Sequence, residues 1–354
     1  MKYFFLPALL ISCLLNYAFS QDKSIRNNYE KAYADIKEVL DKDIDVTFEQ
    51  VCFVTEDVFF NHQLEFRKFD DEINRLKIMA LEWMKANPLH SYPFSDSVNF
   101  QKNYAIYKVL KDTIRFIAND TAIYAHLPFN YDFNDFSGNV DWSNMFVTKL
   151  LATHKGNCHS LPYLYKILAD ELGATCWLAL SPNHIYIENR CGKIGWYNTE
   201  LTSGCFPIDA WIMASGYLPL KAVQSGIYMD TLSNQQAIAL CILDLAKGYE
   251  HKTQNYSDGF ILKCCDLSLQ YFPLNVQAML LKAETLKHIY QNQHGKQKGQ
   301  AKKTFSEMES LYMKLFDLGY REMPEKMYID WLQSVVKERD KYFNKKISQI
   351  VHSN

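Results

Sequence analysis

The feature that most constrains this chain is a change of period. From Leu161 to Leu172 apolar residues recur at three- and four-residue intervals, the run stops at Gly173, and from Thr175 onward the alternation is every second residue. The first pattern is one face of a helix and the second is one face of a strand. Leu161, Leu164, Ile167, Leu168 and Leu172 therefore mark a helix, Thr175 to Leu180 a strand, Ser181-Pro182-Asn183 a turn, and His184 to Glu188 a second strand. Ile185 and Ile187 share one face of that strand, and His184, Tyr186 and Glu188 the other. Asn189 to Gly192 reads as a tight turn into a third strand, Lys193 to Asn198. A helix followed by antiparallel strands is an α+β core, assigned to residues 122–231.

The flanks read as helical. In residues 21–121, Thr47 and Gln50 have capping-box spacing, and Val51, Cys52, Thr55 and Val58 share a face. Ile73, Leu76, Ala80, Trp83 and Met84 form a second helix stopped by Pro88, and Val98 to Ala118 a third. Tyr124 to Val140, rich in Asn, Asp and aromatics, reads as a long surface loop, and Asp141 to His154 as a helix breaking at Lys155-Gly156. From about Leu232 to the end, Gly248, Tyr249, Tyr256, Gly259, Pro273 and Ala278 have the spacing of a degenerate tetratricopeptide repeat, broken by the lysine-rich stretch Gln291 to Lys303.

Residues 1–20 have the build of a secretory signal: Lys2, an apolar run from Phe4 to Leu15, and small Ala18 and Ser20 before Gln21. The run is short for a membrane span, and no later segment is longer. Leu10-Ile11-Ser12-Cys13 also resembles a lipoprotein cleavage box, although the apolar run continues past Cys13. The expectation is secretion or export to a periplasm after cleavage near Ser20, with lipid anchoring at Cys13 as the alternative. Lys plus Arg total 38 against 40 for Asp plus Glu, which gives no field to gather nucleic acid.

Nine cysteines are too few for a disulfide scaffold in 354 residues. Cys52 and Cys241 sit on apolar helix faces as packing. No Cys-x-x-Cys or His-x-x-x-His spacing occurs, and the adjacent Cys264 and Cys265 are poorly placed to share one ion, so neither metal nor cofactor is expected. A Cys191–Cys205 disulfide stays open.

Cys158 stands apart because it opens a helix, where free N–H groups and the helix dipole favour a thiolate. His184, about 25 residues on at the start of a strand, is placed to exchange its proton. Glu200, or Asn198 two residues before it on the same strand face, is placed to orient the imidazole. The Cys158 backbone N–H is the oxyanion donor expected from its position, with a side chain between Asp141 and Asn144 as a guess. His154 and His159 flank the nucleophile and receive no role: His159 points about 100° around the helix from Cys158.

Gly156-Asn157-Cys158 with its helix, His184 through Glu188, and Gly195-Trp196 leading to Glu200 and Thr202-Ser203-Gly204 together resemble the transglutaminase-like superfamily, the papain-like group in which Cys heads a helix and His and Asp sit on adjacent strands. The resemblance covers about Asp141 to Gly204. It implies a papain/transglutaminase-like core, flanked by N-terminal helices and a C-terminal all-α repeat-like region. Members commonly show a histidine, an aromatic and then Glu, and Asp four residues after a tryptophan; here Glu200 holds the Asp position, and Leu201 stands where Pro is frequent. The implied activity is cysteine-dependent amide chemistry on a protein or peptide: hydrolysis if water accepts the acyl group, transglutamination if a lysine amine does. The alternative reading is an inactive protein of the same fold that binds a peptide or cell-envelope partner through its C-terminal helices. A third is a structural helical scaffold.

Overall fold

A computed structural model describes residues 6–42, 46–89, 92–118, 121–293, 298–321, 323–338, 341 and 343–352. Four helices come first: α1 (Leu6–Lys42), α2 (Phe48–Phe59), α3 (Phe66–Ala86) and α4 (Ser97–Lys111). The capping box at α2 forms as expected, with Thr47 Oγ1 accepting the Gln50 N–H and Gln50 Oε1 accepting the Thr47 N–H. In α3, Phe69, Ile73, Leu76, Met79 and Ala80 are buried. Of the expected leader, residues 1–5 lie outside the described residues, and α1 runs unbroken through the expected cleavage point after Ser20.

The third N-terminal helix is shorter than its periodicity predicted. It ends at Lys111; Ile114–Ala118 form β1, antiparallel to β2 (Thr121–His126). Burial explains the change: Ile114 and Phe116 are half-buried while Arg115 and Ile117 are exposed, a period of two carried by β-branched and aromatic residues. The expected surface loop after Tyr124 likewise contains order, because β3 (Asn130–Tyr131) pairs in parallel with β4 (Lys155–Gly156).

Between them the expected helix from Asp141 to His154 divides into a 3₁₀ turn (Trp142–Met145) and α5 (Val147–Thr153), separated by the extended Phe146. Glu56 of α2 causes the break: its two carboxylate oxygens accept the Val147 and Thr148 N–H groups at 2.7 and 2.8 Å, capping α5 from outside. His154 closes α5 with φ of 55°.

Helix α6 (Ser160–Leu172) is buried on nearly every side and stops at Gly173, as its pattern predicted. Each of its buried leucines contributes on the order of 2 kcal/mol of hydrophobic stabilisation. A three-stranded antiparallel sheet packs beside it, in the order β5 (Trp177–Ser181), β6 (His184–Cys191), β7 (Gly195–Thr199). The middle strand is longer than expected, so the turn expected at Asn189 to Gly192 moves past Cys191. Asn189 is buried and its amide donates to Thr199 Oγ1 at 2.9 Å, which keeps the ladder going.

Two short helices follow, α7 (Asp209–Ser215) and α8 (Leu220–Gln224), then α9 (Asn234–Thr253), α10 (Phe260–Tyr271), α11 (Val276–Gln293), α12 (Lys298–Leu318), α13 (Glu325–Lys337) and α14 (Lys345–His352). From α9 to α12 each helix packs on the next, the stacking expected of a helical repeat. The lysine-rich stretch that interrupts the repeat in sequence is helical again from Lys298.

The protein is thus a predominantly helical mixed α and β molecule with small sheets. One cluster of buried side chains extends from Tyr29 on α1 through α6 to Leu332 on α13. No helix among the described residues is long and apolar enough to cross a membrane. The described cysteines are free thiols, including Cys191 and Cys205, so that open disulfide is not formed. Cys205 Sγ instead lies 2.9 Å from Ser203 Oγ. Cys52 and Cys241 are packed face to face between α2 and α9, with sulfurs 3.8 Å apart.

Candidate active site

The nucleophile's position is fixed by its neighbours in sequence. Gly156 lies on β4 against β3, and a Cβ there would collide with Ser160 Oγ and come within 2.8 Å of Leu150 Cδ1, so only glycine fits. Asn157 is fully buried. Its Oδ1 accepts the His159 and Ser160 N–H groups at 2.9 and 3.2 Å, and its Nδ2 donates to the Phe136 carbonyl at 3.0 Å. It ties down the turn that enters α6, and the Leu161 N–H bonds to its carbonyl. Cys158 sits in that turn, two residues before α6 begins, and its own N–H has no hydrogen-bond partner among the described residues.

His184 opens β6, and Cys158 Sγ lies 3.6 Å from the carbonyl of the preceding Asn183. Nε2 of His184 meets Glu200 Oε2 at 2.5 Å, and Glu200 Oε1 accepts the Thr202 N–H at 2.6 Å. That leaves Nδ1 of His184, buried and without a partner at hydrogen-bond geometry, as the nitrogen that interacts with Cys158.

Of the two orienting groups the sequence offered, Glu200 holds the place and Asn198 does not. Strand register gives the reason. Asn198 pairs with Glu188, four residues along β6 from His184 and so about 13 Å away. Its amide donates to the Pro207 carbonyl and to Asp209 Oδ1 at 3.1 and 2.6 Å. Continuing the register past β7, Glu200 falls level with Tyr186, two residues from His184, and the extra methylene of glutamate helps span that offset.

Charge follows geometry. Burial disfavours the His184 cation, but Glu200 and then Cys158 outweigh it and raise the ring's pKa to about 10. Burial opposes ionisation of Glu200 too, yet the facing imidazolium and the Thr202 N–H hold it below the usual carboxylate range. For Cys158 burial works against the thiolate, and His184, Tyr328 and His159 together bring its pKa below that of a free thiol. All three shifts run in the direction that favours a thiolate, an imidazolium and a carboxylate.

The chain matches no family model, no curated protein and no solved structure. What can be said of the site comes from its own geometry.

Several groups at the site were silent in the sequence. Tyr131 on β3 has a buried hydroxyl that faces Tyr328 and Cys158 without closing a hydrogen bond of full geometry to either. Tyr328 of α13 places its hydroxyl 3.3 Å from Cys158 Sγ and 3.0 Å from the Asn183 carbonyl, so one proton is shared between two acceptors when the sulfur is ionised. Trp331 sets its edge against the His184 ring, with centroids 4.9 Å apart. Of the side chains from Asp141 to Asn144 expected as oxyanion donors, Asn144 donates to the Asp135 carbonyl and carboxylate, Ser143 donates to Asp141, and Asp141 also accepts from Lys149, whereas Trp142 Nε1 is buried without a partner on the wall of the cavity that holds Cys158. His154 stacks on Phe129, with ring centroids 4.4 Å apart, as a packing residue. A cavity of about 430 Å³ opens beside Cys158 and His184, walled by apolar side chains such as Met145, Leu180, Leu243 and Val276.

Proposed function

We propose that this chain is an exported thiol enzyme of the transglutaminase-like, papain-like kind that acts on amides. The observation that carries the reading is His184, which presents one nitrogen to Glu200 at 2.5 Å and leaves the other for Cys158. Cys158 thiolate attacks the substrate carbonyl. The negative charge that develops on oxygen is met by the Cys158 backbone N–H, which has no partner among the described residues, and by the Tyr131 hydroxyl, which faces the sulfur. His184 Nδ1 gives its proton to the departing amine, and a thioester on Cys158 remains. Water, losing a proton to His184, adds to the thioester; the acid leaves, and the thiolate–imidazolium pair is restored. An acceptor amine in place of water would make the same cycle a transglutamination.

The apolar cavity supports acyl donors with a bulky apolar group near the scissile bond. The leader-like residues 1–20 support action outside the cytoplasm. The second reading is a binding protein without turnover, motivated by the exchange of Asp for Glu; Glu200's bond to His184 supports turnover over binding alone. The test is hydrolysis of a library of fluorogenic peptide amides by the full chain, with and without an added primary amine. Cys158→Ala is expected to lose at least about 10³-fold in rate; full activity in that variant would sink the proposal.

A further inference from the structure

His159 follows the nucleophile directly, and its side chain is only 16% exposed. Its Nδ1 meets the Met145 carbonyl oxygen at 2.9 Å, and its Nε2 meets Oδ1 of Asp244 on α9 at 2.9 Å. A carbonyl oxygen and a carboxylate oxygen can only accept, so each contact requires a proton on the ring nitrogen. A ring protonated at both nitrogens is an imidazolium. The second oxygen of Asp244 takes the Tyr163 hydroxyl at 2.9 Å, which fixes the carboxylate, and a carboxylic proton between the pair would pass to the more basic ring.

The other titratable groups around the ring do not cancel its charge. The Tyr163 ring lies tilted against the imidazole, with centroids 4.1 Å apart, and its hydroxyl is bonded to Asp244. Glu56 on α2 is occupied by the α5 N–H groups. Lys247 on α9 and His184 on β6, which line the same cavity, bring no negative charge to it.

We infer that His159 is a fixed cation, anchored by Asp244, which stabilises the Cys158 thiolate as a second positive charge beside His184. The inference rests on the reading of Cys158 as the nucleophile. His159 is a positioning residue: both nitrogens are engaged, so it holds its proton while His184 transfers one, and its charge persists through the cycle. Burial works against the cation, and Asp244 outweighs it, so that the pKa of His159 stands above the ordinary histidine value. One consequence is that α9, in the C-terminal helical region, contributes directly to activating the nucleophile.

The experiment follows the ultraviolet absorbance of the thiolate against pH in the full chain, referenced to Cys158→Ser. Asp244→Asn lets the amide donate to the ring, removes the need for the second proton, and is expected to raise the Cys158 midpoint by about one pH unit. His159→Gln is expected to do the same. Asp244→Glu should restore most of the shift, whereas Tyr163→Phe, which removes a hydrogen bond from the same carboxylate and keeps the charge, should leave the midpoint in place. A low wild-type midpoint that Asp244→Asn and His159→Gln leave unchanged overturns this inference and spares the nucleophile. A wild-type midpoint at the free-thiol value overturns both.

Discussion

At the residue scale, the proposed function depends on how Glu200 tunes His184. In the proposed cycle His184 must be protonated to release the amine, so loss of its proton near pH 10 is expected to set the alkaline limit of activity. Glu200→Gln removes the charge that raises this value, so the alkaline limb of the pH–rate profile is expected to move to lower pH while the acid limb, set by Cys158, moves up and the profile narrows. Asn198→Ala should leave both limbs where they are, since its amide serves Pro207 and Asp209. In the proposed cycle the Tyr131 hydroxyl bonds the oxyanion, so Tyr131→Phe is expected to lower kcat by about 10²-fold with KM little changed. Steady-state kinetics on a responsive peptide amide reads all three. Cys158, His184 and Glu200 were legible in the sequence because each is announced locally, by a helix start, a strand start and a strand end. Asp244 and Tyr328 were not: they reach the site from 85 residues beyond His159 and 170 residues beyond Cys158, and nothing in their own surroundings marks them. His159 was set aside on the angle between successive helical residues. It lies instead at the helix entrance, where its backbone is not regular.

At the scale of elements, the recurring error was to continue a helix too far. The pattern from Val98 to Ala118 contains enough apolar residues to fit either period, and tertiary pairing of β1 with β2 decided it. Likewise the sequence from Asp141 to His154 is helical by propensity, and a carboxylate from α2 divides it. Glu56→Ala leaves the Val147 and Thr148 N–H groups without their acceptor and is expected to cost about 1–3 kcal/mol in chemical denaturation, with an unchanged dependence on denaturant. Burial raises the Glu56 pKa to about 7 from the ordinary glutamate value of 4.5. The folded state therefore holds this proton more tightly than the unfolded state. Its contribution to stability is full below pH 4.5 and is lost as pH rises through about 7. Glu56→Gln, which cannot ionise, is expected to flatten the fall in stability across that window, as read by denaturation midpoints at a series of pH values.

At the scale of the whole molecule, the sequence divides more readily than the structure. Helical flanks around an α+β centre were legible from period alone, but a single cluster of buried side chains runs through all three segments. The C-terminal helices also reach the candidate site: α9 supplies Asp244, and α13 supplies Tyr328 and Trp331. A chain ending near residue 231 would expose the face of α2 that α9 covers and the site residues Cys158 and His184 that α13 covers, and is expected to lose cooperative unfolding in circular dichroism. Retained cooperative folding in that fragment would show the helical region to be a detachable cap.

The central claim is a preformed thiolate–imidazolium pair, and the rate of Cys158 alkylation against pH tests it most directly. The other described cysteines are buried, and mass spectrometry of the Cys158 peptide isolates its signal. The expected result is a midpoint clearly below the free-thiol value of about 8.5, moving up by at least about one unit in His184→Ala. A midpoint at or above about 8.5 that His184→Ala does not move would contradict the account.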